Sequence, residues 1–380
     1  MTEQRVVSEY VGAGVNNALL DVFGRIMGAA AKRTLHFPRR RGVEVTQHDH
    51  GGGFRYLRSS EHAWRITQEG LGNKNWIAEW MYRVLGNRTY YDVMAREVAL
   101  MAANDVAASG ALPVVATDEV SVGNGDWYQD ERRAQDFADG WFAICERLGM
   151  ALAGGETASL KYLVKPELPV ESAPVLSAAV VGVIAPLYRA IGSINTVLPG
   201  MKIIGVPSIS AHCNGFSLII KRGLQLQEQF LTKLPDGRTY GEHALLPTQE
   251  YVTMMSALQD RGVPIVAALP GTGGGVAKLA SGKVPLTFAI TAWPEFEKTP
   301  PLFQCLRELG VSWRDLVTTF NMGMGYYLFV TAENEERTIQ TVREAGYEGV
   351  MSVGDVREGA HGVLWQPLGY PMDFLEPPKA

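Results

Sequence analysis

Cysteine is scarce in this chain of 380 residues, which contains only Cys145, Cys213 and Cys305, all far apart. No Cys-x-x-Cys pair occurs, and an odd number of cysteines argues against a disulfide framework. A reducing compartment fits this usage best, so we expect a cytoplasmic protein. The chain is long enough to bury a full core without disulfides or metal, because 46% of its residues are hydrophobic and 20% are charged.

Long apolar segments and a strong charge bias are also missing. The most apolar stretch, residues 173–188, contains two prolines and at about 16 residues is too short to span a bilayer. The first residues lead into no apolar run, so we expect no signal peptide. Lysine and arginine number 35 against 40 aspartates and glutamates, and the one basic run, residues 32–41, is short and interrupted. We therefore expect neither nucleic acid nor a membrane as the main partner.

Several common catalytic motifs are absent. The chain has no G-x-x-x-x-G-K-[ST] loop, which excludes a P-loop nucleotide hydrolase. It also has no H-E-x-x-H or G-x-S-x-G motif, which excludes the zinc peptidases and serine hydrolases that carry them.

Periodic apolar residues predict alternating helices and strands in both halves of the chain. Helices are predicted at residues 11–31, 91–109 and 131–149, after Pro247 and at 333–346, and strands at 176–185, 202–206, 285–290, 326–331 and 349–354. This mixture predicts an α+β (mixed α/β) fold. A boundary near residues 186–200 divides the chain into domains 1–190 and 191–380, and the polar, glycine-rich residues 33–62 are expected to form a mobile loop.

Polar and glycine residues cluster at the ends of apolar elements. The clusters are Glu69–Lys74, Asn104-Asp105, Thr117-Asp118, Gly154–Ala158, His212–Gly215, Gly271–Gly275 and Asn321–Gly325. Consecutive glycines let backbone N–H groups converge on an anion, and carboxylates with phosphate oxygens commonly hold Mg²⁺. Asp105 ends an apolar helical stripe with Met94, Val98 and Met101, where a carboxylate is costly without a partner. Together they suggest a nucleotide-phosphate site with Asp105 at its metal, although each cluster alone also fits an ordinary turn.

In this order and spacing the clusters resemble the phosphoribosylformylglycinamidine cyclo-ligase (AIR synthetase) family, over residues 8–356. The matching segments are Ser8–Val15, Gly70–Lys74, Asn104–Pro113, Gly154–Ala158, His212–Leu218, Leu245–Val252, Gly271–Gly275 and Phe320–Gly325. The resemblance implies a two-domain AIR synthetase-like fold whose N-terminal sheet domain forms a homodimer. It implies that ATP and Mg²⁺ bind between the domains, and that formylglycinamidine ribonucleotide is closed to aminoimidazole ribonucleotide in purine biosynthesis, with ADP and phosphate as the other products.

The resemblance also implies roles for individual residues. His212, Asp105 and Lys74 are the expected catalytic residues, and Glu69, Asp105 and Asp118 the expected metal ligands. The expected ATP-binding residues are Gly70, Gly72, Lys74, Asn104, Asp105, Asp118, Gly154, Gly155 and Glu156. The expected substrate-binding residues are Thr157, His212, Asn214, Gly215, Thr272, Gly273, Gly274 and Asn321. Because an ordinary histidine has a pKa near 6.5, His212 is expected to exchange protons during ring closure, or else to order its own loop.

Departures from the family pattern keep other functions open. Val11 and Gly12 stand where the family has Lys and Asp, and Glu69 and Asn73 stand in its Asp-Gly-Val-Gly-Thr-Lys motif. A different phosphotransfer reaction, such as that of a kinase, or a catalytically silent nucleotide-binding homologue are the alternatives. His48-Asp49-His50 resembles a metal motif, but a glycine loop over the active site is the favoured interpretation of this segment.

Overall fold

Two β-sheets, one in each half of the chain, organise the computed structural model, which describes residues 35–47, 52–58 and 61–375. The strands of the first sheet are β1 (Val43–Gln47), β2 (Gly52–Tyr56), β3 (Ala63–Gly70), β4 (Leu112–Val122), β5 (Ala151–Ser159) and β6 (Val175–Ile184). Those of the second are β7 (Lys202–Pro207), β8 (Ala267–Pro270), β9 (Leu286–Ile290), β10 (Met324–Val330), β11 (Met351–Glu358), β12 (Gly362–Trp365) and β13 (Met372–Leu375).

The helices lie between these strands in sequence. They are α1 (Lys74–Leu85), α2 (Tyr91–Ala108), α3 (Glu131–Leu148), α4 (Phe216–Gly223), α5 (Tyr240–Ala244), α6 (Val252–Asp260), α7 (Pro301–Glu308), α8 (Trp313–Thr319) and α9 (Glu335–Glu344). No helix within the described ranges combines the length and the apolar character needed to cross a membrane.

The first sheet has the strand order β1-β2-β3-β6-β4-β5, antiparallel except for the parallel β4–β5 pair. The apolar helix α2 packs on β3, β4 and β6 and is buried along nearly its whole length. Alternate residues of β6 are buried against it, while those between are only half-buried. One apolar face of this sheet is therefore covered by the chain itself, and the other is partly exposed.

The second sheet has the order β13-β12-β9-β11-β7-β10-β8 and is antiparallel except for the parallel β12–β9 pair. Strand β10, between β7 and the edge strand β8, is fully buried, in keeping with its continuous apolar sequence. The two halves pack together because α2 of the first half contacts β8 of the second. The ends of β3, α2 and β8 therefore lie near one another between the two domains.

The mixed α and β organisation and the two sheet-containing domains confirm the predicted fold class, and the predicted elements within the described ranges recur with shifts of a few residues at their ends. The predicted helix at 11–31 lies outside the described residues. The prediction of a loop at 33–62 was wrong for its described part, because β1 and β2 pair there and extend the sheet onto β3. Gly53 sits inside β2, where a Cβ would overlap the Arg65 side chain, so this glycine serves close packing.

Candidate active site

A cavity of about 590 Å³ opens at the loop Gly70–Asn73, between the end of β3 and the start of α1. Gly72 has a φ of 72°, a left-handed conformation that favours glycine. An added Cβ on Gly70 would meet nothing within 4 Å, so the backbone here is open to a ligand. The first turn of a helix carries unpaired N–H groups and the positive end of the helix dipole, which suits an anion such as phosphate.

The opposite wall of this cavity comes from the C-terminal domain. Ser217 and Ile220 of α4 and Leu224, the residue after this helix, line the wall. Residues of the segment 163–176 complete the cavity from the N-terminal half. Asn73 Nδ2 donates a hydrogen bond to Ser217 Oγ at 3.0 Å across the two domains. The cavity is therefore interdomain, and its volume is in the range of small-molecule sites.

Two of the expected metal ligands, Glu69 and Asp105, meet beside this loop. Their carboxyl groups are hydrogen bonded to each other, and burial together with the Asp105 charge raises the pKa of Glu69 to about 7. Burial likewise raises the pKa of Asp105. Lys278 from the C-terminal domain interacts electrostatically with both carboxyl groups and donates a hydrogen bond to Thr272 Oγ1. A carboxyl pair thus lies beside the open loop, and the Lys278 ammonium group of the other domain interacts with it electrostatically.

The third expected metal ligand, Asp118, lies elsewhere. Glu69 and Asp118 pair with Ala178 from opposite sides of β6, so they are two strands, or about 10 Å, apart. The Asp118 carboxylate covers Gly155 and lines a groove against α3. The described residues contain no group of three or more His, Cys, Asp or Glu side chains able to hold a metal. The predicted three-carboxylate metal site is therefore not formed by them.

Lys74 was expected to contact phosphate, but the structure buries it completely. Its Nζ lies 3.0 Å from Glu97 Oε2 and donates to the backbone oxygens of His212 and Leu246. Glu97 also accepts hydrogen bonds from Thr248 and from the Cys213 thiol. The lysine thus ties the first turn of α1 to loops of the C-terminal domain, because the chain supplies three acceptors inside the protein.

Asn104 has an interdomain role as well. Its amide donates to the Gln249 oxygen and accepts from the Tyr251 N–H, both at 3.0 Å. Its backbone oxygen accepts from the Tyr326 hydroxyl at 3.0 Å. Asn104 therefore holds the end of α2 against the C-terminal domain and places the neighbouring Asp105.

The expected ATP- and substrate-binding residues Gly154, Gly155, Glu156 and Thr157 all lie on β5, the exposed edge strand of the first sheet. Gly155 and Glu69 belong to one row of paired residues, with β6 and β4 between them, which separates them by about 14 Å. The structure therefore does not bring this segment to the interdomain cavity of the same chain.

His212 is buried in a left-handed backbone conformation with a φ of 54°. Its Nε2 lies 3.5 Å from the Tyr251 hydroxyl, and both side chains pack against Gly325. Burial lowers the pKa of His212 to about 4, although the Glu97 charge opposes the change. Burial thus makes this imidazole a weaker base than the ordinary histidine on which the expected proton exchange relied, and a catalytic role for His212 stays a prediction.

The loops that contain the other expected substrate-binding residues converge beside the carboxyl pair. Asn214 faces Gly273, since an added Cβ there would lie 3.4 Å from Asn214 Oδ1. Thr272 accepts from Lys278, and among the described residues no acceptor is found for the N–H groups of Gly273 and Gly274. This loop thus offers two backbone donors and an amide side chain to a ligand.

Gly215 and Asn321 are structural in this conformation. Gly215 immediately precedes α4 with a φ of 77°, and an added Cβ would lie 2.2 Å from the Phe320 ring. Asn321 is buried, donates to the Ser210 oxygen and accepts from the Gly323 N–H. Both residues therefore shape the loops around the site from inside the protein.

Sequence reasoning missed Lys278 and Glu97. Lys278 stands in the otherwise apolar segment Gly275–Ala280, and Glu97 within the apolar helix α2. The signal that singled out Asp105, a charged residue on an apolar face, applies to both. The motif Ser8–Val15, with Val11 and Gly12, and the segment His48–His50 lie outside the described residues.

Comparison with known proteins assigns the chain to a protein family. Residues 57–184 match the model described as AIR synthase related protein, N-terminal domain, and residues 199–366 match the corresponding C-terminal domain. The phosphoribosylformylglycinamidine cyclo-ligase of Lactobacillus delbrueckii subsp. bulgaricus is 30% identical over 368 residues, which cover 94% of this chain and 97% of the relative.

Solved structures show the same fold. The hydrogenase maturation protein HypE in complex with ATP has a TM-score of 0.52 at 16% identity, covering 74% of this chain and 79% of HypE. Thiamine-monophosphate kinase from Stenotrophomonas maltophilia K279a has a TM-score of 0.53 at 16% identity, covering 90% and 95%. The family models and the nearly full-length relative show that this chain is a divergent enzyme of the phosphoribosylformylglycinamidine cyclo-ligase (AIR synthetase) family.

Proposed function

We propose that the chain is an ATP-dependent cyclo-ligase that converts formylglycinamidine ribonucleotide to aminoimidazole ribonucleotide, ADP and phosphate. The observation that carries this proposal is the position of the carboxyl pair Glu69 and Asp105. Glu69 directly precedes the open helix N-terminus at Gly70–Asn73, and the pair interacts electrostatically with Lys278, which donates to Thr272 in the loop Gly271–Gly275. These are the parts that a phosphoryl transfer needs: an anion cradle, hard oxygen ligands and donors facing a second substrate.

The nucleotide is assigned to the cavity at Gly70–Asn73. Its phosphates would lie at the first turn of α1, where Gly70 and Gly72 leave the backbone open. The apolar walls, including Trp76 and Ile220, suit the flat base of a nucleotide. Lys74 makes no direct contact with the nucleotide in this assignment. Its buried ion pair instead holds the loop Gly70–Asn73 in place.

The carboxyl pair Glu69 and Asp105 fits a magnesium ion that arrives with the nucleotide. Both side chains supply hard oxygen ligands, and Mg²⁺ is commonly held by one or two carboxylates together with substrate phosphates. The bound ion would neutralise charge on the transferred phosphoryl group. Asp118 is left out of this proposed site, since its backbone lies two strands from that of Glu69.

Ring closure needs the formyl amide oxygen turned into a leaving group. Transfer of the terminal phosphoryl group of ATP to that oxygen releases ADP. The amidine nitrogen then attacks the formyl carbon that bears the phosphorylated oxygen. Phosphate leaves from this carbon, and the attacking nitrogen loses a proton. Gly273, Gly274 and Asn214 are assigned to hold the substrate through hydrogen bonds. His212 positions this loop as a neutral, buried side chain.

A homodimer is part of the proposal. The uncovered face of the first sheet carries exposed or half-exposed apolar residues, among them Ile66 and Val175, which are 42% and 52% exposed. A second copy placed on this face would bury them. Sedimentation should give a dimer at micromolar concentration, and a stable monomer would contradict this part. We assign the enzyme to the cytoplasm, where its three free thiols stay reduced.

A silent nucleotide-binding homologue is the second candidate. Lys278 favours it, because an ammonium group already lies beside the expected metal ligands. The two candidates predict different results in a turnover assay and the same result in a nucleotide-binding assay.

The test is incubation of the purified protein with ATP, Mg²⁺ and formylglycinamidine ribonucleotide. The proposal expects aminoimidazole ribonucleotide and ADP in equal amounts, and expects neither when the substrate is omitted. The variant Asp105→Asn is the control for contaminating activity. Nucleotide binding without any product would favour the silent homologue, and ADP formation with a different phosphorylated product would favour a kinase.

A further inference from the structure

A second interdomain cavity, of about 490 Å³, shares no lining residue with the cavity at Gly70–Asn73. The N-terminal domain contributes Arg96 of α2 and Arg147 of α3 to its wall, and the C-terminal domain contributes the loop 247–250. Asp105 lies nine residues after Arg96 on α2, which places their backbones about 13 Å apart along the helix. The second cavity is therefore separate from the carboxyl pair.

Arg96 is a half-buried cation on the wall of this cavity. In the part of the chain that the structure describes, no carboxylate and no hydrogen-bond acceptor is found for its guanidinium group. A guanidinium group has five N–H donors, and a partly buried one gains stability from an anionic partner. Arg96 therefore offers a complete set of donors to a ligand in the cavity.

Arg147 is engaged on one side only. Its Nε donates to Glu250 Oε2 at 3.3 Å, and no acceptor among the described residues is found for its two terminal NH₂ groups. The Glu250 carboxylate is buried and also accepts from the backbone N–H and the hydroxyl of Thr253. Two guanidinium groups against one fully bonded carboxylate leave the cavity with an excess positive charge.

The backbone around the cavity also suits an anion. The N–H groups of Gln249 and Glu250, which line it, have no acceptor within the described ranges. The end of α9 borders the cavity at Ala345 and Gly346. The carbonyl oxygens of residues 341–343 in this last turn already accept hydrogen bonds from the N–H groups of residues 345–347. The negative end of this helix is thus largely capped by its own chain.

We propose that the second cavity binds a small phosphate monoester through Arg96 and Arg147. The planar guanidinium group matches the oxygens of phosphate, and the charge of a monoester, between −1 and −2 at neutral pH, compensates the excess positive charge. The apolar residues Ile144, Ile209 and Pro247 also line the cavity and suit the rest of the ligand. Because the arginines and the loop 247–250 belong to different domains, the bound ligand joins the two domains.

Phenyl phosphate is the probe, because it combines a phosphate group with a small flat body. Calorimetric titration of the wild-type protein should show binding of phenyl phosphate and none of phenol. Arg96→Met and Arg147→Met should each weaken the binding by about tenfold or more, since each removes hydrogen bonds to a charged group. Benzoate has a single negative charge and should bind more weakly than phenyl phosphate.

Arg314→Met is the matched control, because Arg314 is an exposed arginine of α8 that does not line the cavity. Its affinity for phenyl phosphate should stay within about twofold of the wild type. Circular dichroism checks the fold of each variant. The Arg147 side chain is 61% exposed, so Arg147→Met keeps the test available if Arg96→Met does not fold.

The inference would be overturned if the wild type did not bind phenyl phosphate, or if phenol or benzoate bound as tightly. Unchanged affinity in a folded arginine variant would overturn it too, because the probe would then be bound elsewhere, for example at Gly70–Asn73. A loss in Arg314→Met equal to that in Arg147→Met would have the same consequence. The proposed reaction uses no residue of this cavity, so a failed cyclo-ligase assay would leave the binding prediction intact.

Discussion

The ammonium group of Lys74 lies 3.0 Å from the Glu97 carboxylate, and both side chains are completely buried. The pair joins α1 to α2 within the N-terminal domain. Through the His212 and Leu246 oxygens and through Thr248, it also holds two loops of the C-terminal domain. The expected phosphate contact of Lys74 is thereby replaced by a structural one.

Loss of the Glu97 charge should therefore destabilise the protein. Breaking a buried ion pair from one side leaves an uncompensated charge, so Glu97→Gln should lower the free energy of unfolding by about 3–5 kcal/mol. Asp92→Asn on the same helix is the control, because its pair with Arg88 is exposed and should contribute at most about 1 kcal/mol. Urea unfolding of the two variants measures the difference, and equal losses would contradict the prediction.

The buried imidazole of His212 should make stability depend on pH. Its pKa is about 4 in the folded protein against 6.5 as the ordinary value. Between these values the unfolded chain binds the proton and the folded protein does not, so stability falls as the pH falls from 6.5 towards 4. The contribution is at most about 1.4 kcal/mol per pH unit.

The variant His212→Asn carries no titrating group and should show a flatter decline of the free energy of unfolding over the same pH window. His243, which pairs with Asp236, provides the matched control His243→Asn. A decline in His212→Asn as steep as in the wild type would show that the imidazole titrates normally.

Much of the fold was predictable because its strands and helices are strongly periodic. β6, β7 and α3 follow from apolar residues that are adjacent in sequence, and Asp105 stands out because it ends an apolar stripe. The hairpin β1–β2 was missed because its glycines resemble those of a mobile loop, while the close packing of Gly53 depends on Arg65 in another strand. A contact of this kind between two strands cannot be predicted from residues that are adjacent in sequence.

The composition of the site was less predictable for the same reason. The sheet order decides whether Asp118 and Glu69 can belong to one metal site, and it places β6 between their strands. The burial of Lys74 depends on Glu97, 23 residues away, and on acceptors in the other domain. Long-range pairing of this kind sets distances and pKa values but leaves no periodic signal in the chain.

Gly325 should not tolerate a methyl group. An added Cβ would lie 2.0 Å from the Tyr251 hydroxyl and 2.7 Å from His212 Nε2, and both side chains are buried. Gly325→Ala should therefore cost about 1–3 kcal/mol of stability. Gly154→Ala is the control, because an added Cβ there meets nothing within 4 Å, and it should change stability by less than about 0.5 kcal/mol. Thermal unfolding of both variants tests this. An unchanged stability of Gly325→Ala would show that the neighbouring side chains can move to make room for the methyl group.

The separation of Asp105 from Asp118 predicts unequal effects on nucleotide binding. Asp105 forms a carboxyl pair with Glu69 beside the open loop Gly70–Asn73, whereas Asp118 faces the groove under α3. Asp105→Asn should weaken Mg²⁺-dependent ATP binding by about tenfold or more, equivalent to roughly 1.4 kcal/mol. Asp118→Asn removes the same charge from the same sheet domain and should leave ATP affinity within about twofold of the wild type. Calorimetric titration with ATP, with and without Mg²⁺, gives both affinities. If Asp118→Asn lost binding as strongly as Asp105→Asn, the metal site would have to include the β4 carboxylate after all, and the arrangement of the two-carboxylate site would be wrong.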